Sequence, residues 1–327
     1  MKPVSLRSFA KINLGLCIGP VRRDGFHELR TVYQTIALHD VVHITLERGR
    51  GIELRCSDPR VPRDQSNTCW RMAEKMLQAL KLKNRVVIEI EKRLPVQGGL
   101  GGASGNAAAT LLGLERAAGK QLRPEDRLAI AAEVGSDVPL FLIGGTVMGV
   151  GRGEEVYPLP DLPAIPMVVA TPEVGVATPR AFAEWDRWTA KEYGELTAEQ
   201  ASDRLNRFGS RVSTLLSVGS TLSGAPARGG SRVGSLLLDL VRTGIENDFE
   251  RVVFPEYPEL RDLKQALRRA GSVYASLSGS GSALYGFFRT KEDAKNAAAR
   301  IVSSGTPAQA TVTLGRGQLR KKTFLAG

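Results

Sequence analysis

Apolar positions from Val4 to Gly19 predict a strand, and a turn at Asp24-Gly25 follows it. Leu29 to Leu38 and Val41 to Glu47 read as two more strands; in the second, Val42, Ile44 and Leu46 alternate with polar positions. Ile52 and Leu54 suggest a short fourth. Asn67 opens a helix with Trp70, Ala73, Leu77 and Leu80 on one face, and Arg85 to Lys92 is a β-branched strand. Pro95 to Ala103 reads as a loop, Ser104 to Ala118 as a helix, and Leu128 to Val134 as a helix ending near Gly135. Thr146 to Gly151 and Ile165 to Thr171 are expected strands, and the proline-dense stretch Pro158 to Pro166 between them marks a domain boundary. Helical patterns follow. Phe208 to Ser235 then reads as a flexible insertion, heavy in Gly and Ser, with Arg211, Arg228 and Arg232 and no acid. The fold resumes at Leu236 to Val241. A helix Pro258 to Ala270, a strand Ser272 to Leu277, a strand Ala283 to Phe288 and a helix Lys291 to Ile301 complete it. Strands and helices mix without strict βα alternation, so the expected class is α+β, in two domains of residues 1–160 and 161–327.

Composition narrows the function classes. The chain has 327 residues, 42% hydrophobic and 24% charged, so it is neither disordered nor fibrous. Its formal charge of +11 favours acidic partners: nucleic acid, anionic lipid or phosphorylated small molecules. Three cysteines, Cys17, Cys56 and Cys69, have no metal spacing and suggest no disulfide framework, which points to the reducing cytoplasm. Lys11 and Asn13 break the apolar N-terminus, so no signal peptide is expected. The uncharged run Leu94 to Leu114 is long enough to span a bilayer. It is rejected as a membrane helix because bare glycine backbone in lipid leaves polar groups unsatisfied.

That same run carries the clearest chemistry. Pro95-Val96-Gln97-Gly98-Gly99-Leu100-Gly101-Gly102-Ala103-Ser104 lies between a strand and a helix. Glycines let backbone N–H groups turn inward on an anion, and the helix start adds its positive end. A Walker A loop is excluded because no Lys occurs between Arg93 and Lys120, and a dinucleotide fingerprint because Ser104 stands at its last glycine position. A plain connector needs neither this length nor four glycines in five positions, Gly98 to Gly102. A second loop, Ser278-Gly279-Ser280-Gly281-Ser282, reads either as a tight hairpin or as a second approach to the same phosphates. Asp137, in Gly135-Ser136-Asp137-Val138-Pro139, is on its own residues a helix cap or Asx turn before it is a catalytic carboxylate. Lys11 either snorkels out of its strand or is held near an anion, and His27 beside the turn is unremarkable alone.

Taken together, Ala10-Lys11-Ile12-Asn13-Leu14, Arg23-Asp24-Gly25-Phe26-His27-Glu28-Leu29, the first glycine loop and the Asp137 segment resemble the GHMP kinases. They are most similar to the branch whose acceptor is a cytidine diphosphate ester of methylerythritol. The resemblance runs from about Leu6 to Phe288. It implies a two-domain α+β fold with the active site in the cleft between domains. It also implies a cytoplasmic enzyme that uses ATP and Mg²⁺ to phosphorylate the 2-hydroxyl of the methylerythritol unit. By the family pattern, Asp137 is the general base and Lys11 its cationic partner. Pro95, Gly98, Gly99, Leu100, Gly101, Gly102, Ala103 and Ser104 hold ATP, with Ser104 also offered to Mg²⁺. Asn13 orients the acceptor, His27 hydrogen-bonds the cytosine edge, and Phe26 and Phe182 stack on it from two sides. The chain departs from the pattern at Gly105, where the branch has a second serine, and at Phe26, commonly Tyr.

The expected partners are therefore two phosphorylated small molecules, with no nucleic acid and no membrane. Another GHMP kinase, acting on homoserine or mevalonate, is disfavoured by the Asp24-Gly25-Phe26-His27 stretch. A nucleic-acid-binding module is disfavoured because aromatics are only 6% and the basic clusters lack them.

Overall fold

The computed structural model describes residues 3–194, 197–221, 239–241 and 243–325. β1 (Val4–Val21) and β2 (His27–Glu47) form a long antiparallel pair around the Arg22–Phe26 turn. β3 (Gly51–Cys56), α1 (Thr68–Ala79) and β4 (Arg85–Glu91) make a βαβ unit with parallel strands. The Asn67 side chain caps α1 by accepting from the Cys69 N–H. The expected strands Leu29–Leu38 and Val41–Glu47 are one strand, because the two halves of β2 have different neighbours. Val41–Glu47 pairs with β4, and Thr31–Gln34 with β5 (Thr146–Val150). The polar His39-Asp40 step does not break it, since Asp40 is wholly buried and its carboxylate is satisfied by neighbouring donors.

α2 (Gly102–Ala118), α3 (Pro124–Val134) and α4 (Val138–Ile143) cover this first sheet, and β6 (Glu155–Pro158) edges β5. α2 starts two residues earlier than expected and α3 four, with Pro124 at its first position, where a missing N–H costs nothing. The short helix α4 was not anticipated.

The second sheet is antiparallel in the order β10-β7-β9-β8: β7 (Pro166–Ala170), β8 (Tyr274–Leu277), β9 (Leu284–Phe287) and β10 (Ala308–Val312). It is served by α5 (Thr178–Tyr193), while α6 (Ala198–Thr221) packs on β1 and β2 of the first sheet; α7 (Glu250–Glu256), α8 (Pro258–Arg269) and α9 (Lys291–Ser303) complete the second layer. α6 corrects the flexible insertion expected over 208–235: residues 208–221 are helical. Leu205, Phe208, Val212 and Leu215 recur at helical spacing and are buried among β1 residues such as Ile12 and Leu14. High Gly and Ser content masked that stripe. Residues 222–238 lie outside the described residues.

The two sheets share one core. Ala10, Ile12, Leu14, Val32 and Ile36 of the first pack against Met167, Val169, Tyr285 and Phe287 of the second. β1 is therefore covered on both faces along most of its length, which is why its sequence is a near-continuous apolar run. Tyr285 and Tyr274 donate from the second sheet to the carbonyls of Asn13 (2.8 Å) and Leu14 (3.0 Å). After β10 the chain returns to the first sheet: Leu314 N–H bonds Thr35 O, and α10 (Arg316–Thr323) packs on β1. Among the described residues no helix is long and apolar enough to cross a membrane.

Candidate active site

Lys11 and Asn13 lie two residues apart on β1 and so point to one face. The Lys11 ammonium does not snorkel. It is 4% exposed and sits 3.2 Å from Asp137 Oδ2 and 2.8 Å from Asn13 Oδ1, to which it donates. Asn13 Nδ2 donates to Thr31 Oγ1 (2.8 Å), and Thr31 donates to the Gly15 carbonyl (2.7 Å), so the amide is held by a buried chain of bonds across β1 and β2. Asp137 occupies the N-cap position of α4 by backbone, yet its side chain makes no capping bond. It turns instead to Lys11 and to the Tyr33 hydroxyl, which donates to Oδ1 at 2.9 Å. The cap reading of Asp137 thus gives the right backbone position and the wrong job for the carboxylate.

The first glycine loop lies beside this cluster. Lys11 N–H bonds the Leu100 carbonyl (2.9 Å), fixing the loop to β1. Gly99 and Gly101 have φ of +71° and +69°, where side chains are strained. A Cβ on Gly101 would lie 2.9 Å from Lys11 Cγ and from Phe141 Cζ, and one on Gly99 would lie 2.1 Å from the Ser278 carbonyl. These glycines therefore serve close approach as well as turn geometry. A cavity of about 310 Å³ opens over the loop, lined also by Val61, Asn67, Cys69 and Lys92. Pro95, Gly98, Gly99, Leu100, Gly101, Gly102, Ala103 and Ser104 all line it, at the N-terminus of α2.

The second glycine loop joins β8 to β9 as a hairpin and also meets the first loop. Ser278 Oγ donates to the Gly99 carbonyl (2.9 Å), and Ala283 N–H to that of Gly98 (3.2 Å). Asn247 Nδ2 braces it through the carbonyls of Leu277 and Gly279. Gly279 comes so near that a Cβ there would lie 3.6 Å from Lys11 Nζ. The hairpin reading holds, and the same loop lies against the first one.

His27 and Phe182 form a separate group, with Phe26 next to His27 in the chain. The His27 ring is buried, with Nδ1 3.2 Å from the Gly19 carbonyl and Nε2 3.3 Å from Asp186 Oδ1. Phe182 lies flat on His27, with centroids 4.8 Å apart and planes 8° from parallel, and its edge meets Phe249. Phe26 is half exposed with the Arg152 guanidinium 5.0 Å over its ring. Each of the two expected stacking rings thus carries a neighbour on one face: His27 on Phe182, and the Arg152 guanidinium over Phe26. Asp186 and Tyr33 were missed in the sequence. Asp186 lies four residues after Phe182, one helical turn, which is a usable signal; nothing local marks Tyr33.

Burial and the Asp137 charge push the Tyr33 hydroxyl well above the usual phenol range. Burial likewise pushes the Cys69 thiol, on the cavity wall, up to about 12. Among the described residues no group of three or more His, Cys, Asp or Glu side chains is placed to hold a metal.

Known proteins resemble the chain along most of its length. Residues 67–145 match the GHMP kinases N terminal domain and residues 232–306 the GHMP kinases C terminal domain. A 4-diphosphocytidyl-2-C-methyl-D-erythritol kinase of Solibacter usitatus is 39% identical over 88% of this chain and 81% of its own length. The enzyme of that name from Gloeobacter violaceus is 38% identical over 94% and 92%. A crystal structure of 4-(cytidine 5'-diphospho)-2C-methyl-D-erythritol kinase superposes with a TM-score of 0.72 at 28% identity, covering 95% of this chain and 99% of that one. A homoserine kinase from Cytophaga hutchinsonii superposes equally well, 0.72, at 19% identity, which speaks to the fold alone. Fold similarity does not separate these branches, but sequence identity does: the chain belongs to the GHMP kinases and, among them, to the 4-diphosphocytidyl-2-C-methyl-D-erythritol kinase family.

Proposed function

We propose that this chain transfers the γ-phosphoryl group of ATP to the 2-hydroxyl of 4-diphosphocytidyl-2-C-methyl-D-erythritol. The observation that carries the mechanism is the ion pair at 3.2 Å between buried Lys11 and partly exposed Asp137, set beside the glycine cradle. Asp137 accepts the proton of the attacking hydroxyl as its oxygen bonds to phosphorus and the bond to the β-phosphate oxygen breaks. Lys11 offsets negative charge that builds up in the transition state. Backbone N–H groups from Gly98 to Ser104 hold the nucleotide phosphates at the start of α2. Asn13, fixed by Lys11 and Thr31, orients the acceptor. His27, Phe26 and Phe182 receive the cytosine, with base stacking worth roughly 1–3 kcal/mol.

The metal question fits the same site. A nucleotide-borne Mg²⁺ needs few protein ligands, since phosphate oxygens and waters supply the rest, which suits a site without an acidic cluster. Ser104 on the cavity wall is the hydroxyl offered to it. Bound there, the ion would neutralise charge on the phosphate oxygens. Three free, buried cysteines support a cytoplasmic setting.

A panel of alcohols offered with ATP tests the reading. Turnover is expected with the cytidyl substrate; turnover of homoserine or mevalonate in its place refutes it. Asp137→Asn should lower kcat by about 10²–10⁴-fold with ATP affinity little changed. Turnover near that of the parent would remove Asp137 from the base role.

A further inference from the structure

We infer that Tyr33 is a positioning residue for the catalytic carboxylate: its buried hydroxyl holds Asp137 Oδ1, so that Oδ2 is the oxygen left to take the acceptor's proton beside Lys11. The inference rests on Asp137 being the general base.

The geometry gives the carboxylate two different neighbours. The phenol donates to Oδ1 at 2.9 Å and the Lys11 ammonium faces Oδ2 at 3.2 Å. Together they fix rotation about the Cβ–Cγ bond, which neither does alone. Tyr33 itself cannot wander. It is 2% exposed, and its ring lies 5.5 Å beneath the Lys11 ammonium. Two glycines make room for it: a Cβ on Gly149 would lie 2.5 Å from Tyr33 Cε2, and one on Gly153 would lie 2.4 Å from the hydroxyl. Gly153 comes from the turn after β5, with φ of +99°. The chain thus leaves out side chains at two positions where they would displace this ring and its hydroxyl. Burial also keeps the phenol protonated across the neutral range, so it acts as a donor throughout and does not compete for the proton.

The inference separates Tyr33 from a plain core aromatic. A core ring works through its area, which Phe keeps; a positioning hydroxyl works through Asp137, and Phe loses it. Tyr33→Phe should lower kcat about tenfold, the effect of one hydrogen bond to a charged group, with KM for ATP and for the acceptor within about twofold. ATP binding measured by calorimetry on the same preparation should match the parent. In the Asp137→Asn background the same substitution should have no further effect, because its target is already gone.

Three results overturn the inference. One is an unchanged kcat in Tyr33→Phe. A second is a further tenfold loss in the Asp137→Asn background, which would show that the hydroxyl acts elsewhere. A third is loss of ATP binding by Tyr33→Phe, which would make its role structural. If Asp137→Asn alone keeps full turnover, the base assignment fails first, and the two failures are told apart by that single variant.

Discussion

Gly105 illustrates how one residue is chosen by its neighbours. The family pattern implied by the resemblance puts a second serine here, and its absence reads in the sequence as a missing hydroxyl near the phosphates. In the fold the position faces away from that task. A Cβ on Gly105 would lie 2.9 Å from the Phe9 carbonyl and 2.9 Å from Ser8 Oγ, so α2 approaches β1 too closely for any side chain. Ser8 is itself buried, and its hydroxyl has no hydrogen-bond partner. Restoring the serine with Gly105→Ser should therefore destabilise by about 1–3 kcal/mol through overpacking, with no gain in kcat. A thermal melt and a rate assay on the variant check both halves; a higher kcat would mean the lost hydroxyl mattered. Asp137 makes the same point from the other side. Its residues and its backbone both say helix cap, and only Lys11 and Tyr33, distant in sequence, show where its oxygens go.

Among the elements, the glycine loop owes its position to a buried aspartate on β2. Asp40 Oδ1 accepts from the N–H groups of Arg93 and Leu94 at 2.7 Å each, where the chain leaves β4 for the loop. Its Oδ2 accepts from Lys92 Nζ at 2.7 Å and from Asn106 Nδ2 at 3.0 Å, in the first turns of α2. One carboxylate therefore ties both ends of the cradle to the sheet. Asp40→Ala would leave two N–H groups and a nearly buried ammonium without their partner. A loss of about 3–5 kcal/mol is expected, with weaker ATP binding, by denaturant titration and calorimetry. A stable variant with normal ATP affinity would show that the loop holds its shape unaided. The helix α6 shows why element-level reading failed elsewhere. Its apolar stripe is sparse, and Gly209 with the surrounding serines suggested a linker; burial of Phe208 and Val212 against β1 outweighs those weak local preferences.

At the scale of the whole molecule, the excess of +11 is not gathered at the chemistry. Lys11 faces Asp137, Lys92 faces Asp40, and Arg204 faces Asp248, each pair partly or wholly buried. Arg316 reaches the carbonyls of Thr146 and Leu159 and so pins the returning C-terminal segment to the first sheet. Folding also silences the cysteines. Burial pushes Cys17 and Cys69 up to about 12, and Cys56 is buried as well. Because the thiolate is the reactive form, these thiols should be unreactive toward a disulfide reagent at neutral pH until the protein unfolds. Timed thiol titration with and without denaturant measures this, and ATP should slow labelling further by favouring the folded state. Prompt reaction of the native protein would contradict the packing described.

Motif order, the apolar runs of β1 and β4, and the glycine loop were legible in the sequence, because local backbone needs and burial leave direct traces in residue type. Those traces were enough to identify the kinase family and to single out Lys11, Asp137 and the glycine loop, which the fold brings side by side. Three things were decided only by tertiary structure. Tyr33 became a partner of Asp137, Asp40 became the anchor of both loop ends, and Phe182 came to rest on His27. Each depends on groups brought within a few ångströms by packing between elements far apart in the chain. No spacing along the sequence encodes such contacts.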